Sequence, residues 1–318
     1  MRRFQPARFA KGWLLSAALL IVATAASAQD IEPRAFSNAP TGVNFLVAGY
    51  GFTRGGLSFD PSLPVTDPQL HTSTALLAYA RELDLWGLSG KVDVIAPYTW
   101  LAGTAKFEGQ PVARTVDGLD DAQIRLSVNF YGAPALTAKE FSTYKQDLII
   151  GASLAVSVPV GQYDQTRVVN IGTNRWFVKP ELGISKAFGP VTLEVMPAVT
   201  VYTANTDFFN GHTRTEEPIY SVQGHAIYSF GNGIWAAADA TYFTGGQTAI
   251  NGVADDDLQQ NWRAGATLSF PIAIGYSVRL YASRGLAART HDNYDLIGIQ
   301  LQYRSGGGAP PLCHWGVG

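Results

Sequence analysis

Residues 260–284 read QNWRAGATLSFPIAIGYSVRLYASR, and the spacing of apolar side chains within them decides the fold. From Trp262 every second residue (Trp262, Ala264, Ala266, Leu268, Phe270) is apolar or aromatic, while Arg263, Gly265, Thr267 and Ser269 are polar or small. After Pro271 to Gly275 the alternation restarts, with Tyr276, Val278, Leu280 and Ala282 on one side and Ser277, Arg279, Tyr281 and Ser283 on the other. Successive side chains of a strand point to opposite faces, so this hairpin has one greasy face and one polar face that carries arginines. A soluble sandwich would bury the greasy face. A membrane barrel turns it to lipid and keeps the polar face around an aqueous lumen.

The amino terminus decides the compartment. Arg2, Arg3, Arg8 and Lys11 precede the apolar run Trp13 to Ala26, which ends in Ala26-Ser27-Ala28. This is the pattern of a secretory signal peptide over residues 1–28, with Gln29 as the expected mature terminus. The run is shorter than the ~20 residues a spanning helix needs. Of 23 Lys+Arg and 25 Asp+Glu, the leader takes four basic residues, which leaves 19 against 25 and a formal charge of −6. Such a chain offers no basic field for nucleic acid. Cys313 is the single cysteine, so an intramolecular disulfide framework is excluded. Hydrophobic residues make up 47% and charged residues 15%. Charges below the typical ~25% mean that much of the surface avoids water.

Residues 29–40 are short, polar and proline-bearing, and read either as a periplasmic lead or as a segment tucked into the lumen. Strand-like segments follow at 41–53, 71–85, 88–101, 120–130, 146–158, 175–187, 191–203, 219–230, 234–244, 259–270, 276–286 and 294–304. These twelve suit the ~9 to 11 residues that cross a bilayer at a tilt. Mostly long polar connections (54–70, 102–119, 160–174, 204–218, 245–258, 287–293) alternate with tight turns at Trp86-Gly87, Phe188-Gly189-Pro190, Gly231-Asn232-Gly233 and Pro271 to Gly275. The exception is 131–145, long but on the short-turn side, with one helical turn expected within 138–144. The expected fold is all-β: a transmembrane antiparallel up-and-down barrel over 41–304, with extracellular loops, periplasmic turns and a flexible tail at 305–318. Tyr79, Tyr98, Trp100, Trp176, Tyr220, Phe230, Tyr242, Trp262, Phe270, Tyr276 and Tyr303 sit near the ends of the greasy faces, as interfacial girdles require.

Taken literally, the alternation sends Glu82, Asp84, Lys91, Asp93, Arg125, Asp147, Lys179, Glu181, Glu194, His225, Asp239, Arg263 and Arg279 into the lumen. They serve either as a structural ladder or as groups that select a permeant. Parity and turn length also fix partners: a two-residue turn at Trp86-Gly87 sets Glu82 across from Lys91, and a three-residue loop at 231–233 sets His225 across from Asp239. The acidic run Asp255 to Asp257 lacks EF-hand spacing and reads as a solvated loop. No motif calls for a metal or a cofactor, and Cys313 beside His314 has no catalytic context.

Five stretches carry a family likeness: DGLDDAQIRLSVNFYGAPAL at Asp117 to Leu136; GQYD, NIGTNRW and KPELGISKAFGP within 158–190; NTDFF at Asn205 to Phe209; PIYSVQGHAIYSF at Pro218 to Phe230; and DLQQNWRAGATLSF at Asp257 to Phe270. In these the chain resembles the outer-membrane proteins grouped as "Putative MetA-pathway of phenol degradation". The resemblance implies a barrel in the outer membrane of a Gram-negative bacterium that takes up small, aromatic or phenolic compounds. Its expected surroundings are outer-membrane lipid and lipopolysaccharide, the barrel assembly machinery and a small-molecule permeant. Such a barrel is expected to end with its last strand and a terminal aromatic, whereas here a glycine- and proline-rich tail follows. Two other readings stand beside a channel. A lipid hydrolase would need an outward Ser and His within hydrogen-bond reach, yet His71, His212 and His291 fall in or beside loops, His314 falls in the tail, and His225 points inward. A structural barrel without transport needs no site at all.

Overall fold

The computed structural model describes residues 31–56, 63, 65–289 and 293–307. The leader, His291 and the tail from residue 308 lie outside these. In chain order the strands are Val43–Gly55 (β1), Thr66–Leu85 (β2), Leu88–Phe107 (β3), Gln110–Leu119 (β4), Ala122–Tyr131 (β5), Leu148–Val158 (β6), Phe177–Phe188 (β7), Val191–Tyr202 (β8), Asn205–Phe208 (β9), His212–Glu216 (β10), Ile219–Gly231 (β11), Ile234–Gly245 (β12), Thr248–Ile250 (β13), Val253–Ala254 (β14), Gln259–Ala273 (β15), Tyr276–Ala288 (β16) and Tyr294–Gly306 (β17). One helical turn, Ala138–Phe141 (α1), lies between β5 and β6, where the sequence places it, and is held by a reciprocal capping box between Thr137 and Glu140.

Twelve strands close on themselves in antiparallel order: β1, β2, β3, β5, β6, β7, β8, β11, β12, β15, β16 and β17. The seam between first and last runs from Val43 opposite Gly306 to Gly55 opposite Tyr294. Closure leaves no sheet edge in the wall, and an open edge in hydrocarbon would leave backbone groups unpaired at several kcal/mol each, roughly. The wall alternates as the sequence predicts. On β15, Trp262 and Leu268 are exposed to the outside while Arg263 and Thr267 are buried inside.

Three connections differ from expectation, 102–119, 204–218 and 245–258. Residues 102–119, expected as a loop, form the top of β3 and all of β4, paired from Tyr98 opposite Leu119 to Phe107 opposite Gln110. Here β4 is the upward continuation of β5, since β3 pairs with both and the register slips at Asp120-Asp121. The connections 204–218 and 245–258 are likewise structured: their β9, β10, β13 and β14 form a separate four-stranded sheet at the extracellular end. Beside it, Leu63, Leu70, Leu101, Val168, Val169 and Phe208 form a small apolar core.

The tight turns set the register. Trp86 and Gly87 have φ of 58° and 86°, which gives a two-residue turn that twists with the hairpin. Glu82 is therefore opposite Lys91. At the other hairpin Gly231, Asn232 and Gly233 all have positive φ, and a bulge at residue 230 restores the register that sets His225 opposite Asp239.

Candidate functional site

The lumen is the candidate site, and its wall is built by parity. Glu82, Lys91, Asp93, Lys179, Glu181, Glu194, His225, Asp239, Arg263 and Arg279 are all buried, and Arg125 has a side chain 11% exposed, every one on the inner face. Asp84 and Asp147 are corrections. Asp84 stands at the last step before the turn, where the wall ends, and its carboxylate accepts the Gly87 amide at 2.6 Å. Asp147 precedes β6 and pairs with Lys186 at the exposed periplasmic rim. Alternation continues in the sequence past the point where the strand stops enclosing anything.

On these strands some of the charges are matched in pairs and others are held by neutral groups. His225 Nδ1 and Asp239 Oδ1 are 2.7 Å apart, and Thr267 donates to the other Asp239 oxygen at 3.1 Å. Lys179 Nζ lies 3.8 Å from Glu181. The Arg263 guanidinium covers the Tyr294 ring at 3.8 Å and donates to Ser283 at 2.9 Å. Lys91 and Glu82 share a register position, yet the ammonium donates to the Ala35 carbonyl at 3.2 Å.

Ala35 belongs to a strap, residues 31–40, that enters from the periplasmic end and crosses the lumen. Both terminal nitrogens of Arg125 (β5) donate to the Glu32 carboxylate, one at 2.8 Å, and Arg125 Nε lies 3.7 Å from Asp93 (β3). The Glu32 amide donates to Gln223 (β11) at 3.1 Å. The Arg34 amide donates to Glu194 (β8) at 2.6 Å, and its guanidinium donates to Ser229 (β11) at 3.0 Å while lying 5.2 Å from the Trp235 ring (β12). Trp235 also receives Arg279 at 5.4 Å. The Phe36 ring packs on Gly151 (β6) and Gly183 (β7), which are register partners. A Cβ on Gly183 would come within 2.0 Å of that ring, so a bare glycine is what makes room. Thr41 and Gly42 return the chain to the wall through bonds to Leu136 and Glu82.

Of the two readings of residues 29–40, the described part, 31–40, lies in the lumen; what sequence reasoning missed is the set of side chains that holds it there. Its signal in the sequence is the alternation Glu32, Arg34, Phe36, which offers a carboxylate, a guanidinium and a ring at every second position ahead of β1. With it included, six carboxylates (Glu32, Glu82, Asp93, Glu181, Glu194, Asp239) face six cations (Arg34, Lys91, Arg125, Lys179, Arg263, Arg279). Charges buried among opposite charges and bonded to donors can be tolerated, while single ones cannot.

The motif-bearing stretches meet at the extracellular mouth. Asp121 accepts from the Gly161 amide at 2.9 Å and from the Thr173 amide and hydroxyl at 2.8 and 2.7 Å. Asn205 donates to Tyr163 at 2.8 Å and to the Thr173 carbonyl at 3.1 Å. Arg175 pairs with Glu216 at 2.5 Å over the Tyr202 ring. The Asp255 to Asp257 run, expected as solvated, is in part fixed: Asp257 accepts the Thr248 amide at 2.9 Å and its hydroxyl at 2.5 Å. Of the described histidines, His71 stacks on Phe52 at 6.2 Å, His212 meets Asn251, and His225 belongs to the lumen.

A closed twelve-stranded wall with an apolar exterior and a charged interior defines an outer-membrane β-barrel of porin-like build. The chain belongs to the family described as "Putative MetA-pathway of phenol degradation", whose profile matches residues 47–303. An outer membrane channel from Pseudomonas putida F1 has the same fold, with a TM-score of 0.69 at 17% identity over 87% of this chain and 100% of that one. The translocator domain of autotransporter NalP from Neisseria meningitidis is more distant, at TM-score 0.49 and 7% identity over 85% and 90% of the two chains. So is Pseudomonas aeruginosa OpdK with vanillate, at TM-score 0.34 and 11% identity over 83% and 98%. No curated protein matches the chain.

Proposed function

We infer that this barrel is an outer-membrane channel for small molecules, aromatic compounds among them, and that the strap holds it closed. One observation carries this reading: a charged lumen is crossed by ten residues of chain held mainly through wall side chains, with one backbone bridge from Pro40 to Leu136, between walls that close without them. A barrel needs no such segment for its own hydrogen bonding, because every wall strand already has two neighbours. Moving the strap toward the periplasm would leave a charged passage between the β5 to β8 arc and the β15 to β16 arc. The wall cations Arg125, Lys179, Arg263 and Arg279 would then meet the polar end of a permeant. Family membership and a channel of the same fold support the same reading.

The test is liposome swelling with small phenols and sugars, with single-channel recording on the same preparation. The wild-type protein should conduct in brief openings from a mostly closed level. A variant lacking residues 31–38 should stay open and admit phenol-sized solutes at a higher rate. A folded strapless barrel that passes neither ions nor phenols would defeat the reading, and lipid hydrolysis by the pure protein would replace it.

A further inference from the structure

We propose that the strap occupies the permeant's own binding subsites, and that these accept an arene bearing a carboxylate. This rests on the channel reading and assigns the chemistry of its lumen. The strap places two groups side by side on the β5 to β7 arc: the Glu32 carboxylate on the Arg125 fork and the Phe36 ring on Gly151 and Gly183. Both receivers are built. Arg125 presents two terminal nitrogens to one carboxylate, a bidentate geometry that fits any carboxylate of that shape. Lys179, two strands round the wall on β7 and at the same rung, adds a second cation that lines the same space. The ring recess is cut into the wall itself, since side chains at either glycine would occupy it: a Cβ at Gly151 would lie 2.6 Å from the ring and one at Gly183 2.0 Å. Ile149 and Met196 complete its apolar floor.

Glycine inside a strand weakens it and marks a close approach by something else. Two glycines paired across β6 and β7 make a slot as wide as a phenyl ring. In the ladder, Gly151 and Ala155 are four residues apart on β6, and Ala155 is the register partner of both Arg125 and Lys179. The wall positions beneath slot and fork are thus about 13 Å apart at ~3.3 Å per residue. An arginine side chain laid along the wall covers about half of that, and a ring with a two- or three-atom arm ending in a carboxylate covers the rest. Permeant and strap would compete, so arrival of the permeant would favour the open barrel through differential affinity.

Two measurements with 3-phenylpropanoate test this, both on the full protein in detergent or lipid. In the wild-type protein, hydrogen exchange at Glu32, Arg34, Ala35 and Ser37, whose amides are all bonded, should speed at least tenfold with saturating 3-phenylpropanoate and stay unchanged with acetate. In equilibrium dialysis, Glu32→Gln/Phe36→Ala should bind 3-phenylpropanoate at least tenfold more tightly than wild type. Adding Gly183→Leu should cancel that gain, and 3-phenylpropanamide should bind at least tenfold more weakly than the acid. Strap exchange that ignores 3-phenylpropanoate, or equal binding of acid and amide, would overturn the subsite. A barrel that conducts yet fails these tests keeps the channel and loses the subsite. One that binds the acid without ever conducting loses the channel instead.

Discussion

At the scale of single residues, the strap's hold is concentrated at Glu32, which is 1% exposed and fully engaged with Arg125. Breaking a buried pair by removing one charge typically costs about 3–5 kcal/mol, because the survivor stays buried. Asp93, 3.7 Å from Arg125, limits that loss toward the lower end. Glu32→Gln should therefore loosen the strap by roughly 3 kcal/mol, read as longer open dwell times in single-channel records with the wall unchanged. Unaltered dwell times would move the hold elsewhere. Asp120 gives a second prediction, at the slip between β4 and β5. One of its oxygens accepts the Asp121 amide at 2.7 Å and the other is buried without a partner among the described residues. Burial first, then the neighbouring Asp121 charge, pushes its pKa up to about 8. An unfolded aspartate titrates near ~3.9, so between about pH 4 and 8 the folded state keeps a proton that the unfolded chain has released. Its contribution is present at low pH and lost as pH rises through that window. Asp120→Asn keeps the acceptor and cannot ionise, so the urea midpoint should fall less steeply across pH 4–8. A slope equal to wild type would remove Asp120 as its source.

Elements were legible where geometry is periodic. All twelve wall strands follow from alternation, and the His225 to Asp239 pair follows because parity and turn length leave one register. Asp84 and Asp147 were misplaced for the same reason: period two says which face, and is silent on where the wall ends. Residues 102–119 look like a loop in the sequence because they are a long polar connection, yet β3 gives them a template. The strap's hold on the wall was not legible, since its hydrogen-bond partners lie 56 to 195 residues away and an alternation of three residues names none of them. Among the connections, 159–176 is pinned to β5 by Asp121, with three bonds to Gly161 and Thr173. Hydrogen bonds to a charged group are worth ~1.5–3 kcal/mol each. Asp121→Ala should free this segment, and trypsin should then cut at exposed Arg167 on intact cells that display the variant, while wild type resists. Equal resistance would show that the loop holds by packing alone.

For the whole molecule, closure predicts slow unfolding and a faster gel migration before boiling than after it, together with a β-type circular dichroism spectrum. A helical spectrum would end the matter. The lumen's balance of six against six also sets an expectation: the closed barrel has no strong field of either sign, and strap removal takes away one charge of each. Ion preference should therefore change little between wild type and the strapless variant, while conductance rises. The wall is much less even in height than in charge. β2 and β3 are each 20 residues long, about 66 Å at ~3.3 Å per residue, against the ~9 to 11 residues that cross a bilayer. With β4 beside them they rise as a one-sided ribbon whose tip is the Glu108-Gly109 turn. Seen from outside the cell, this ribbon and the β9–β10 turn that it meets through Phe107 and Phe209 are surfaces that an antibody or a phage would touch. An epitope tag inserted between Glu108 and Gly109 would project from living cells and report, without breaking them, how many barrels are in place.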